Sequence, residues 1–238
     1  MLRAAALFVC VCMVAFGASG QNDVRRAYRP DIPGTFIVDI GVNRTINETP
    51  DNFDYGFWGS RTVNLYYQYP IRLLKSKFSL NPGAGLSLER FKFTNLATLN
   101  TSPDTDGTYG LVPASDLYPG ASKSQLIANY FDIPVEIRFD TKPEDIARSF
   151  NVAVGVRGGV LIDSFTKVRY SEDGETKKIK DKQNHGVNPI RYGLYTRIGI
   201  GGFNFFGFYN SSSLFESGKG PQMTPMNTFT AGISINGF

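Results

Sequence analysis

Nine charged residues recur at positions that alternate with apolar ones: the carboxylates Asp39, Glu89, Asp132, Glu136 and Asp163, and the guanidinium groups Arg138, Arg157, Arg191 and Arg197. In an extended chain, successive side chains point to opposite faces, so the charged residues share one face and the apolar residues the other. Carboxylates interleaved with guanidinium groups can carry protons or ions along a path, hold a charged ligand, or neutralise one another as a salt-bridged plug. Five acids against four bases, drawn from neighbouring segments, favour mutual neutralisation.

Other chemistry is thinly represented. His185 is the only histidine and sits in a charged stretch beside Asn184 and Gly186, where a solvated side chain is expected. An enzyme acting on lipid would need a base, a nucleophile and an orienting group together, and the sequence offers no second histidine or mature cysteine for this. Asp104-Thr105-Asp106-Gly107 opens like a calcium-binding loop but lacks the terminal Glu. Zinc spacing and phosphate-binding glycine loops are also missing, so no metal or cofactor is expected.

The charged face must be positioned by strands. The longest alternating run is Ser124 to Asp140. It places Ile127, Phe131, Ile133, Val135, Ile137 and Phe139 on one face, and Ala128, Tyr130, Asp132, Glu136 and Arg138 on the other. Similar runs begin at Thr35 to Asn43, Val63 to Tyr69 and Lys77 to about Thr94, and continue at Asn151 to Asp163, Ile190 to Ile200, Phe203 to Asn210 and Thr228 to Asn236. Gly201-Gly202 is a two-residue hairpin signal, which should put Ile200 and Phe203 on the same apolar side. Pro70, Pro82 and Pro134 fall within strand-like runs and predict bulges or strand ends there.

The connections alternate in length. Polar segments rich in Gly, Pro and charge, Arg44 to Phe57, Asn95 to Lys123, Tyr170 to Val187 and Glu216 to Asn227, follow the first, third, fifth and seventh strands, whereas short turns follow the second, fourth and sixth. All long loops would then gather at one end, with both termini at the other. About eight antiparallel strands with that asymmetry, each long for a soluble sandwich, predict a closed transmembrane β-barrel spanning residues 35–238. The apolar face meets lipid and the charged face fills the lumen. Inward glycines such as Gly155, Gly159 and Gly193 leave room for the arginines. Aromatics including Trp58, Tyr66, Tyr67, Tyr130, Tyr170, Tyr192 and Tyr209 read as interfacial girdles and packing.

The composition agrees with strands and turns: 25 Gly, 19 Phe and 12 Tyr, with 19% charged residues. Residues 1–20 read as a secretory signal, with Arg3 before an apolar run and Ala18-Ser19-Gly20 before the expected cleavage; 21–34 is a short basic lead-in. Cys10 and Cys12 both lie in that run, so the mature chain would have neither a disulfide nor a thiol nucleophile. Loss of Arg3 leaves 24 basic against 21 acidic residues, too even a balance to point to nucleic acid. The N-x-Ser/Thr triplets at Asn43, Asn47, Asn100 and Asn210 are of the kind polar loops produce by chance.

Several motifs carry a family resemblance. Ser124 to Phe139, Asn188-Pro189-Ile190-Arg191-Tyr192-Gly193-Leu194, Arg197-Ile198-Gly199, Ser213-Leu214-Phe215, Gly218-Lys219-Gly220-Pro221 and Gly232-Ile233-Ser234-Ile235 resemble the PorT-type outer-membrane β-barrel proteins of Bacteroidetes. The resemblance implies a barrel in the outer membrane and, through one member tied to type IX protein secretion, a secretion link. Phe238 resembles the C-terminal aromatic read by the barrel-assembly machinery, although it falls in phase with Asn236 and Ser234 rather than with Ile235 and Ile233. The expected partners are outer-membrane lipid, that machinery, and envelope or secretion-system proteins. The expected role is a non-enzymatic structural or assembly component; a narrow pore or transporter and a lipid-modifying enzyme are the alternatives.

Overall fold

The computed structural model describes residues 34–47 and 49–237. The expected signal, both cysteines, residues 21–33 of the lead-in and Phe238 lie outside the described residues. Twelve strands follow in order: β1 (Thr35–Thr45), β2 (Arg61–Gln68), β3 (Ile71–Arg72), β4 (Phe78–Phe93), β5 (Ala97–Leu99), β6 (Leu111–Pro113), β7 (Ala121–Asp140), β8 (Phe150–Glu172), β9 (Glu175–Asp181), β10 (Ile190–Ile200), β11 (Phe203–Asn210) and β12 (Thr228–Asn236).

Eight of them form a closed antiparallel ring. β1 pairs with β2, β2 with β4, β4 with β7, β7 with β8, β8 with β10, β10 with β11, β11 with β12, and β12 with β1. Closure leaves no unpaired edge around the ring, a requirement for a sheet in hydrocarbon. The outward residues of β8 from Val152 to Ile162 are apolar apart from Gly158, and Val154, Val156, Val160 and Ile162 are each more than half exposed. That stretch of about ten residues covers roughly 33 Å of strand. Tilted by about 40°, it spans the roughly 25 Å of an outer-membrane apolar band.

The Gly201-Gly202 turn joins β10 to β11 with Ile200 opposite Phe203, both exposed on the apolar side; Gly201 takes φ 58°, which a side chain would oppose. The prolines behave in three ways. Pro70 ends β2. Pro82 lies opposite that break: its carbonyl accepts from the Tyr69 N–H at 2.9 Å, and the reciprocal bond is the one proline cannot make. Pro134 departs from expectation, because it is neither at a bulge nor at a strand end. The β4–β7 ladder instead lapses between the Pro82–Val135 and Gly85–Asp132 pairs, where the register sets Gly83 opposite Pro134.

Two of the long connections are more structured than their polarity predicts. β8 runs on to Glu172 and β9 returns along it, so the charged segment from Tyr170 is largely a strand hairpin standing beyond the barrel. With water on both faces, it carries no apolar alternation to betray it. The segment from Asn95 likewise holds the β5–β6 hairpin.

Candidate functional site

The lumen is built by the inward positions of the ring. Arg191, on β10, donates to Asp132 of β7 through Nε at 3.0 Å and Nη2 at 2.5 Å, and to Glu89 of β4 through Nη1 at 2.5 Å. The two-pronged contact with Asp132 matches the fork of a guanidinium to a carboxylate. Tyr66 of β2 donates to the same Asp132 at 2.7 Å and receives Arg157 Nη1 at 2.5 Å; Arg157 lies 3.8 Å from Asp132. Gly159 stands where a Cβ would come within 2.1 Å of Asp132 Oδ1, so only glycine admits this carboxylate.

A second group lies nearer the short turns. Arg197 reaches Glu136 at 3.2 Å and Asp39 at 3.5 Å, and also contacts the Tyr195 hydroxyl. Asp39 accepts from Tyr195 at 3.2 Å and Asn64 at 3.3 Å; Glu136 accepts from Asn81 at 3.3 Å. Arg157, Arg191 and Arg197 are each only 1% exposed. Charges so deep are tolerable only when paired, and removing one partner leaves the other stranded. Arg157 is offset further by the face of Phe208, 3.4 Å from its guanidinium carbon, and Arg191 by Tyr130 at 4.1 Å.

Seven of the nine charged residues selected from the sequence thus meet in the lumen. Arg138 does not join them. It pairs with Asp140 two residues along β7, at 3.1 Å, at the short-turn rim. Asp163 is displaced altogether. A bulge where the β7–β8 register slips between Asn129 and Tyr130 inserts an extra residue in β8 and reverses the phase beyond it. Asp163 therefore pairs beside Asn129 on the outer surface, at the upper edge of the apolar band.

Tyr66 and Tyr130 point into the lumen, Tyr130 as the alternation of Ser124 to Asp140 places it, rather than into an interfacial girdle; Tyr195 joins them. Their phase with Asn64 and Gln68, with Asp132, and with Arg191 and Arg197 was the available signal. His185 also differs from expectation: it is fully buried. Its Nδ1 is 2.8 Å from the Gln183 carbonyl, its Nε2 3.3 Å from Asp181, and its ring packs on Tyr109. Asp104 and Asp106 accept from Asn100 and Thr108 within their own loop. Among the described residues, no group of three or more His, Cys, Asp or Glu side chains could hold a metal ion.

The two ends of the lumen are unlike. At the long-loop end, all four long connections contribute to one apolar cluster with the tops of β4 and β7: Phe53, Leu99, Val187, Leu214, Phe215 and Met226 pack with Phe91, Phe93 and Tyr130. Phe53 is at its centre, with ring centroids 5.1 Å from Phe93 and 6.1 Å from Phe215. At the short-turn end, a cavity of about 480 Å³ opens below the ionic network, lined by Gln68, Ser79, Asn81, Arg138, Asp140 and Asn236 among others. Among the described residues, the arrangement seals the lumen above and in the middle and leaves it open below.

Residues 33–216 match the family described as outer membrane protein beta-barrel domain. No curated protein matches the sequence. Among solved structures, the attachment invasion locus protein Ail of Yersinia pestis is similar at 13% identity and a TM-score of 0.33, covering 86% of this chain and 97% of that one. A mutant Rh. blastica porin is similar at 9% identity and a TM-score of 0.20, covering 86% and 98%. The match to the family over most of its length means that this chain belongs to the outer membrane proteins with a β-barrel domain.

Proposed function

We propose that this barrel is a non-conducting, non-enzymatic component of the outer membrane, acting as a structural or assembly element with partners at its loops or short turns. The observation that carries the reading is the sealed lumen. Arg191 and Arg197 are locked to buried carboxylates across the middle, Arg157 is held beside them by the Tyr66 hydroxyl 3.8 Å from Asp132, and the apolar cluster around Phe53 covers the long-loop mouth. An ion crossing this barrel would have to break several desolvated pairs. The resemblance to PorT-type proteins of Bacteroidetes extends the reading to a part in type IX-like protein secretion. Export by residues 1–20 and delivery to the barrel-assembly machinery through Phe238 complete it.

Reconstitution of the purified chain into planar bilayers tests the central point. No discrete conductance steps are expected up to 100 mV or so. Steps that vanish in an Arg197→Gln variant would replace this reading with a narrow transporter. Mass spectrometry of lipid extracted from cells with and without the protein should be unchanged; a mass shift would support the lipid-modifying alternative.

A further inference from the structure

Above the apolar band, on the side formed by β4, β7, β8 and β9, the outward positions turn from apolar to basic. The register places them together. Lys92 lies opposite Gln125, Gln125 opposite Lys167, and Lys167 opposite Lys180; Lys123 lies opposite Arg169, and Arg169 opposite Lys178. Arg90 sits one outward position below Lys92. Among the described residues, none of these seven cations is in a salt bridge. Lys167–Lys180 and Arg169–Lys178 are like-charge pairs directly across adjacent strands, an arrangement that destabilises a sheet. Outward positions at the same end of β10 and β11 are instead Ile190, Tyr192 and Tyr209, and those of β1 and β2 carry one arginine each, Arg44 and Arg61.

We propose that this face binds the phosphate groups of lipid headgroups in the leaflet on the long-loop side. Charge complementarity names the anion, and position names its source. The cations continue the same strand faces that carry the apolar band. Arg90 follows Leu88 by one outward step of roughly 7 Å, which is headgroup depth; on β8 the outward carboxylate Asp163 comes first, at the edge of the band, and Phe165 separates it from Lys167. Trp58, the one tryptophan of the chain and 79% exposed, stands on this side, with the adjacent Gly59 against the aliphatic part of Lys92. An exposed tryptophan beside basic residues marks a membrane interface. A soluble polyanion would have no reason to require that depth.

The test is native mass spectrometry of the folded, detergent-solubilised full chain titrated with bisphosphorylated lipid A. Parallel titrations use the dephosphorylated form, inorganic phosphate and heparin. A juxtamembrane cation is worth about fivefold in binding. The Lys92→Gln/Lys123→Gln/Lys167→Gln variant should therefore bind the phosphorylated lipid roughly hundredfold more weakly. Lys178→Gln/Lys180→Gln, on the hairpin beyond the barrel, should bind roughly twenty-five-fold more weakly; it decides the matter if the triple variant does not fold. Lys75→Gln/Lys77→Gln/Lys142→Gln, at the short-turn end, should bind like the parent. Parent-like binding by the hairpin variant, equal binding of dephosphorylated lipid, or heparin binding tighter than the phosphorylated lipid would each overturn the proposal.

Discussion

The two ends of this barrel are finished by opposite means. The long-loop end is closed by an apolar cluster to which four separate connections contribute, so its cohesion is that of a small hydrophobic core assembled outside the membrane. The short-turn end sends no such apolar cluster across its mouth, and among the described residues it opens on a cavity of about 480 Å³ lined by Gln68, Asn81, Arg138 and Asp140 together with Ile37, Ile146 and Ala147. Between them the ionic network belongs to neither solvent. The difference shows that loop length decides which end can seal itself: a connection must be long enough to send an apolar side chain back across the mouth, as Phe53 and Phe215 do.

The comparison can be broken experimentally. The largest effect should come from the middle, where Arg191→Ala strands Glu89 and leaves Asp132 only Tyr66 and the more distant Arg157; a loss of about 3 to 5 kcal/mol is expected, read as a lowered unfolding midpoint in detergent. Next, Phe53→Ala should cost about 3 kcal/mol but act locally. Limited proteolysis should cut the long connections faster while the barrel keeps its resistance to unfolding by detergent and heat. If Phe53→Ala unfolds the strands as readily as Arg191→Ala, the cap is not a separate unit. Arg138→Ala removes only the rim pair with Asp140, two charge-assisted hydrogen bonds beside the cavity, and a loss of about 1.5 to 3 kcal/mol is expected. Asp163→Asn should be smallest, within about 0.5 kcal/mol, because the residue lies outside the lumen; a loss as large as that of Arg191→Ala would return it to the network.

Much of this was readable from alternation. A membrane strand faces two different solvents, so period-two patterning marks both the strand and the side that meets lipid, and it placed Asp39, Glu89, Asp132, Glu136, Arg157, Arg191 and Arg197 on one face. The same logic failed where its premise failed. β9 has water on both faces and shows no apolar period. The β8 bulge changes phase by one residue, and nothing in Ile162-Asp163-Ser164 announces it. His185 was expected in solvent because a loop histidine usually is; burial by Tyr109, from another connection, cannot be inferred from its neighbours in the chain.

By itself the sequence determined the solvent of the strand faces below the β8 bulge and the unequal lengths of the connections, because those are local properties of composition and spacing. Only the tertiary structure decided which carboxylate meets which guanidinium, that Tyr66 bridges Arg157 and Asp132, and that the four long connections share one core. Those contacts depend on strand register and ring closure, and they join residues as far apart as Asp39 and Arg197. Their energies exist only once the ring has closed and excluded water.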